Sequence, residues 1–169
     1  MKNLLFIITI SFLLPSTFFG QSDKSIPENS ANSNAFSKAY NYLNDFEKIL
    51  TPSQITTLNT TLKSSEEKSG TKIIVVTTSS IKPYASVPDY SYNLKNYLSE
   101  NLKLTPAFLI ILSKELRQIQ IQSSYEARNR LTEDETRNII NSFAIPEFKK
   151  GDYYKGLENA VTQIIKKLE

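Results

Sequence analysis

The side chains available for chemistry are few in type, because the 169 residues of this sequence include no His, no Cys and no Trp. Without His or Cys the chain cannot form a Ser-His-Asp triad, a Cys-His nucleophile pair or a zinc site of the usual ligand types. With only four glycines, it also has no Gly-rich phosphate-binding loop. Any catalysis must therefore use Asp, Glu, Lys, Arg, Tyr, Ser or Thr, or a hard cation held by their oxygen atoms.

The charged residues exclude one class of partner. Lys and Arg number 20 against 17 Asp and Glu, which gives a formal net charge of +3. No basic cluster is longer than a pair of adjacent lysines. Since nucleic-acid binding requires a concentrated basic patch that neutralises phosphates, we expect no nucleic-acid partner.

Residues 1–21 have the layout of a secretory signal peptide. Lys2 precedes the apolar run Leu4–Leu14, and small residues then lead to Gly20, an order of charged, apolar and cleavage regions that is typical of export signals. The apolar run is shorter than the roughly 20 residues of a permanent membrane-spanning helix. Phe18 does not fit the small-residue rule for cleavage, so an uncleaved membrane anchor is the alternative.

The predicted signal peptide indicates where the protein lies and which partners it can meet. The protein should lie in the periplasm or be secreted, and its partner should be an envelope or secreted protein. The membrane is a partner only if the signal remains attached. Residues 22–34 are polar and rich in Ser and Asn, which is typical of a linker. Residues 35–50 form either a short helix or a segment that packs on the core, so we assign 22–42 to a linker and lead-in segment and 43–169 to one domain.

Capping residues and apolar periodicity predict four helices in this domain. Thr51 and Gln54 form a capping box around Pro52, and Gly70 ends the first helix. The other three helices begin at Pro88-Asp89, at Thr132 with Glu135 closing a second capping box, and after Asp152, with Pro146 ending the third helix.

Three strands are predicted between the helices. Lys72–Thr78 and Ala107–Leu112 are apolar on both faces, as strands buried in a sheet are. Leu116–Gln122 alternates isoleucine with glutamine and follows the short polar turn Ser113–Glu115, which predicts an antiparallel hairpin. The order of elements indicates an α/β fold, with a small mixed sheet flanked by helices on both faces.

Four stretches of the sequence carry a resemblance to a known family. They are Leu43–Thr51, Ser69–Thr77, Leu131–Glu133 and Ile145–Tyr153, the last followed by Gly156 and Leu157. They are similar in turn to V-N-D-x-A-x-x-L-S/T, T-G-x-Q-I-x-V-V-T, L-T-D and I-x-P-x-F-R-x-G-D-Y, which are patterns of the TPM domain family. This family includes thylakoid-lumen proteins of photosystem repair and many exported bacterial proteins.

The resemblance implies a three-layer α/β/α sandwich with a site in a cleft. In some members acidic residues of that cleft bind a divalent cation, and some plant members are acid phosphatases. This sequence departs from the family in the two loops that define the site. Leu104–Ala107 replaces the family's D-N-G turn, and Ser123–Arg128 replaces its G-Y-G-L-E turn, so an acid and the glycines are lost.

Asp45, Glu126 and Glu133 are the acids that remain as candidates for a metal site. Asp45 matches an acid of the family pattern, and the other two follow in or near the altered second loop. Calcium takes six to eight oxygen ligands, and these three residues supply part of such a set if they converge. The alternative is structural, with Asp45 in a turn and Glu133 complementing a helix dipole.

Two functions are consistent with this pattern. The first is an exported, non-enzymatic protein-interaction or envelope accessory module with no cofactor and no catalytic residue. The second is a phosphatase-type hydrolase that depends on calcium or magnesium held by Asp45, Glu126 and Glu133. The altered loops favour the first.

Overall fold

The structure is a computed structural model, and it describes residues 34–38 and 40–169. The predicted signal peptide and nearly all of the predicted linker lie outside the described residues. The elements in chain order are β1 (Leu43–Asp45), α1 (Pro52–Ser69), β2 (Ile73–Thr77), α2 (Val87–Asn101), β3 (Phe108–Ser113), β4 (Gln118–Ser123), α3 (Glu133–Ile139), α4 (Ile145–Lys149) and α5 (Tyr153–Leu168). Short 3₁₀ turns at Asn34–Phe36 and Glu126–Asn129 and a π turn at Ile140–Ala144 complete the list.

The sheet has four strands in the order β1-β2-β3-β4. The first three strands are parallel, with Asp45 opposite Thr77 and Thr77 opposite Leu112. Strand β4 runs antiparallel to β3, so the predicted hairpin is confirmed. Every residue of β2 and β3 is buried, as their β-branched and apolar sequences predict for strands covered on both faces.

The predicted helix ends are confirmed where local hydrogen bonds fix them. Thr51 and Gln54 form a capping box at α1, and Thr132 and Glu135 form another at α3. Gly70 ends α1 in the left-handed conformation with φ of 65°, which glycine adopts without steric penalty.

The third predicted helix does not end at Pro146. The chain continues from α3 through the π turn Ile140–Ala144 directly into α4. Pro146 lies in the first turn of α4, where its missing N–H is not needed and its fixed φ suits a helix. A proline therefore starts a new helical segment here instead of closing the old one.

Residues 43–45 form a strand and not part of a helix. Leu43 lies opposite Val75 in the parallel pairing of β1 with β2, and its N–H donates to the Asn59 side chain at 2.9 Å. The helical spacing of apolar residues in 35–50 arises because these side chains enter two different cores. Leu43 packs on the α1 face, whereas Phe36 and Phe46 pack on the α2 face.

Helices cover both faces of the sheet, which confirms the predicted fold class. One face packs against α1, α3 and α5 through a core that includes Leu62, Val161 and Ile164. The other packs against α2, and Phe36 completes this core by stacking on Tyr84 at 5.3 Å between ring centroids. No helix in the described part of the chain is long and apolar enough to span a membrane.

The two helical crossovers lie on opposite faces of the sheet. Helix α1 joins β1 to β2 on one face, and α2 joins β2 to β3 on the other. Both connections step in the same direction along the sheet, so they have opposite hands. One of them is therefore the left-handed βαβ connection that is rare in proteins.

Candidate functional site

The two ends of the sheet open on different clefts. At the amino ends of β2 and β3 lies a polar cleft of about 480 Å³, which we call the amino-end cleft. At the carboxyl ends, and along the outer edge of β4, lies a larger cleft of about 1090 Å³, which we call the β4 cleft. The sheet therefore offers two candidate sites with different chemistry.

The amino-end cleft is the place where the two altered loops meet. Thr105, Pro106 and Ala107 line it from the first loop, and Ser124 and Glu126 line it from the second. The loops are joined directly, because the Ser124 N–H donates to the Ala107 carbonyl at 2.7 Å. The segments that depart from the family pattern thus form one site in three dimensions.

The first charged pair of this cleft is Glu66 with Lys72. Glu66 Oε2 lies 2.8 Å from Lys72 Nζ, and both side chains are about one quarter exposed. Burial acts to raise the pKa of the Glu66 carboxyl, but the interactions with Lys72 and Tyr42 outweigh burial and hold that pKa below its usual value. Glu66 is therefore an ionised carboxylate that already has a cationic partner.

Lys95 and Glu126 are the other two charged residues that line this cleft. Burial lowers the pKa of the Lys95 ammonium, the carboxylate of Glu126 raises it, and the nearby Arg128 lowers it further. The pKa of Glu126 is lowered chiefly by its own backbone N–H and then by the Ser124 hydroxyl, with Lys95 contributing in the same direction. The two carboxylates that line the cleft therefore share it with two lysines, and Glu66 is in direct contact with Lys72.

Asp45 lies at the other end of the sheet, where its side chain organises a turn. Its carboxylate accepts the Ile49 N–H at 3.2 Å, the Leu50 N–H at 2.9 Å and the Thr77 hydroxyl. Asp45 belongs to the last residue pair of β1 and β2, opposite Thr77, whereas Glu126 follows Ser123 at the opposite end of the hairpin. Strand β3 between these ends has six residues, so the two carboxylates lie roughly 17 Å or more apart.

Glu133 lies in the first turn of α3, where its side chain is 90% exposed and pairs with Arg137 at 3.3 Å. The structure therefore does not bring Asp45, Glu126 and Glu133 together. Within residues 34–38 and 40–169, no three side chains among His, Cys, Asp and Glu are grouped so that they could hold a metal ion. In the amino-end cleft two carboxylates, Glu66 and Glu126, are accompanied by two ammonium groups, Lys72 and Lys95.

Sequence reasoning missed three of the four charged residues of this cleft, namely Glu66, Lys72 and Lys95. Glu66 and Lys95 occur at positions typical of exposed helix residues. No nearby motif distinguishes them from the other charged residues of their helices. Lys72 did carry a signal, because it stands where the family pattern T-G-x-Q-I has a glutamine. A cation at that position indicates a cleft with altered charge.

The β4 cleft is lined mainly by apolar side chains and has a basic rim. Its apolar lining comes from the end of β3, from β4 and from the segment between α3 and α5, and includes Ile119, Ile140, Ile145, Phe148 and Tyr153. Three of its lining residues are basic and none is acidic; these are Arg117, Lys149 and Lys150. The Glu47 carboxylate fixes the β3–β4 turn beside it, accepting two backbone N–H groups at 2.9 and 2.8 Å.

A small mixed sheet with helices on both faces and a cleft at each end defines the chain as a three-layer α/β/α domain. A sequence model of the TPM domain matches residues 43–167. The chain therefore belongs to the TPM domain family. No curated protein sequence matches it.

Solved structures share the fold at low sequence identity. The N-terminal domain of a protein from P. gingivalis, solved by solution NMR, is 23% identical with a TM-score of 0.68, over 80% of this chain and 87% of that chain. The N-terminal domain of the cg2496 protein from Corynebacterium glutamicum is 16% identical with a TM-score of 0.59, over 79% and 83%. The BA42 protein from Bizionia argentinensis is 19% identical with a TM-score of 0.53, over 73% and 83%. These similarities concern the fold alone.

Proposed function

We propose that this TPM domain is an exported, non-enzymatic protein-interaction module that acts on an envelope or secreted partner. The observation that supports the proposal is the charge arrangement of the amino-end cleft. Glu66 is paired with Lys72, and Glu126 shares the cleft with Lys95. A cleft that supplies its own cations satisfies its carboxylates without a metal.

The physical argument concerns what a divalent cation requires. Calcium takes six to eight oxygen ligands and magnesium six, several of them from carboxylates. In this cleft an incoming cation would have to displace the Lys72 ammonium from Glu66 and would then lie beside the positive charge of Lys95. Both steps oppose binding, because like charges repel strongly in a partly buried site.

The hydrolase is retained as the second candidate on a specific observation. Glu126 lies in the cleft together with the hydroxyl-bearing residues Ser99, Thr105 and Ser124. Hydroxyl and carboxylate oxygens are ligands that hard cations accept. If the lysines were displaced, this set would be the remaining basis for a cation-dependent phosphatase.

One experiment separates the two functions. Calcium and magnesium are titrated by calorimetry, and hydrolysis of an aryl phosphate is measured from acidic to neutral pH, for the wild type and for Glu126→Gln. Glu115→Gln is the matched control, because Glu115 is an exposed acid in the β3–β4 turn at the other end of the sheet. We expect no metal heat and no turnover above buffer in any variant. Metal-dependent turnover that Glu126→Gln abolishes and Glu115→Gln retains would overturn the proposal.

Asp45→Ala tests the structural role of the first metal candidate. We expect it to lower the free energy of unfolding by about 2 kcal/mol, because two backbone amides and the Thr77 hydroxyl lose a charged acceptor. The loss should be the same in calcium and in chelator, measured by chemical denaturation. A loss that appears only in calcium would show that Asp45 binds the ion.

Export is tested separately from binding. N-terminal sequencing of the protein recovered from the periplasm or the medium should begin at or near Gln21. A protein that keeps its first residues and sediments with membranes would instead support the uncleaved anchor.

A further inference from the structure

The outer edge of β4 directs backbone groups away from the sheet in a defined order. The Thr78 N–H donates to the Leu112 carbonyl. The backbone N–H and C=O groups of Leu112 and of every second residue before it in β3 therefore point toward β2. Those of Ile111 point toward β4. Because Ile111 is opposite Gln120 in the antiparallel register, the backbone of Gln120 points toward β3. Backbone direction alternates along a strand, so Ile119 and Ile121 direct their N–H and C=O groups away from the sheet.

The side chains of β4 are consistent with this direction. The Gln120 amide donates weakly to the Ile121 carbonyl at 3.5 Å, and the Gln122 amide donates to the Ser123 carbonyl at 3.4 Å. These contacts cover two outward carbonyls and no outward N–H group. In the sheet formed by the described residues, β4 is an edge with no further strand beyond it.

The β4 cleft runs beside this edge and favours one kind of occupant. Apolar side chains such as Ile119, Ile145 and Phe148 line it, and its charged lining residues are all basic. Lys150 is paired with Glu147 at 2.8 Å, whereas Arg117 and Lys149 are exposed. An extended segment with acidic and apolar side chains would match both the backbone edge and the rim.

The conformation of Arg117 adds an independent observation. Arg117 closes the β3–β4 turn with φ of 53°, and its N–H donates to the Lys114 carbonyl at 3.1 Å. Glycine is the usual residue at a left-handed position in such a turn, because side-chain-bearing residues are strained there. The turn therefore places a basic side chain at the rim of the cleft, at a position where glycine would be less strained.

We propose that the outer edge of β4 binds an extended acidic segment of a partner protein as an added strand, with Arg117 and Lys149 contacting its carboxylates. This rests on the proposed protein-interaction function and specifies the partner's chemistry. Backbone hydrogen bonds to Ile119, which is half-buried and lines the cleft, would provide affinity, as in other cases of strand addition. The basic rim would select acidic over basic segments.

The first test uses three short peptides as probes, in which valine alternates with glutamate, glutamine or lysine. Fluorescence anisotropy should show the glutamate peptide binding at least about tenfold more tightly than the lysine peptide, with the glutamine peptide between them. Binding should weaken as salt is added, because exposed charges are screened. Binding of the lysine or glutamine peptide in preference would overturn the acidic partner but leave peptide binding intact. If none of the three peptides binds, both the acidic partner and peptide binding at the β4 cleft are overturned.

The second test asks whether the peptide is a strand. Hydrogen exchange of the Ile119 amide should slow at least about tenfold on binding, while exchange at Gln120, already bonded to β3, should change little. Every second peptide residue directs its N–H group toward β4, and the residues between them direct theirs away. Methylating the amide nitrogens of the first set should abolish binding, whereas methylating those of the second set should leave the affinity unchanged. Equal effects in both sets would show that the peptide does not pair with β4.

Variants then test whether the basic residues of the rim contact the peptide. Arg117→Gln and Lys149→Gln should each weaken the glutamate peptide by about threefold and together by about tenfold, as for exposed ion pairs. Lys63→Gln with Lys68→Gln on α1 is the matched control and should have no effect. Arg117→Gly should weaken binding without lowering the melting temperature, because glycine relieves the left-handed strain. Unchanged affinity in the Arg117 and Lys149 variants would overturn their role.

Discussion

Replacing Gly156 with Ala should destabilise the domain, although alanine is the better helix former. Gly156 is buried in α5. A Cβ atom at this position would lie 2.2 and 2.5 Å from two ring carbons of Phe148 and 2.9 Å from the carbonyl oxygen of Ala144. These distances are too short for real contacts, so α5 can approach the preceding helical segment this closely only through glycine.

The magnitude follows from two opposing effects. Alanine in place of glycine inside a helix stabilises by about 1 kcal/mol. Overpacking typically costs about 1–3 kcal/mol, and the upper part of that range applies because the Ala144 carbonyl belongs to the backbone and cannot rotate away. The net loss should be about 2 kcal/mol, which corresponds to a fall of roughly 8 °C in melting temperature for a domain of this size.

A double-mutant cycle identifies the group responsible. In a Phe148→Ala background the ring is gone, so Gly156→Ala should cost less than about 1 kcal/mol, giving a coupling of at least about 1 kcal/mol. Urea denaturation of the four proteins supplies the free energies. A neutral or stabilising Gly156→Ala in the wild type would refute the reasoning, and an equal cost in both backgrounds would exclude Phe148 as the obstacle.

Two further predictions concern ionisation. Glu126→Gln should lower the pKa of Lys95 further and Arg128→Gln should raise it, because these two neighbours act on the partly buried ammonium in opposite directions. NMR titration of the lysine side chain measures both shifts, and shifts of the same sign would contradict the placement of Lys95. Glu135 has a pKa held at about 2, first by its hydrogen bond with Lys167. Because this folded-state pKa is below the unfolded value, its contribution is present above about pH 4.5 and is lost as the pH falls toward about 2. Thermal melts of Glu135→Gln should show a smaller decline over that range than the wild type, and an identical decline would contradict the assignment.

The sequence predicted most of the fold because most of its signals are local. Thr51 and Gln54 cap a helix through hydrogen bonds three residues apart, and Gly70 ends it through its own φ angle. The strands of the sheet interior are visible from unbroken apolar runs, since both faces are covered. Local rules failed at Pro146, which starts a helix as readily as it ends one.

The candidate site was predicted only in part, for the opposite reason. The resemblance located the two altered loops, and the structure shows that they meet in one cleft. The charged residues that share this cleft, Glu66, Lys72, Lys95 and Glu126, come from separate parts of the chain. Nothing in their sequence spacing indicates which charge lies opposite which.

The available chemistry and the local elements follow from the amino-acid sequence alone. The lack of His and Cys restricts function to oxygen and nitrogen side chains in any fold, and caps and apolar runs depend on neighbours within a few residues. Tertiary structure decided that Asp45 supports a turn, that 43–45 is a strand, and that lysines accompany the carboxylates of the cleft. These outcomes depend on contacts between distant parts of the chain, which exist only once the sheet and its helices have packed.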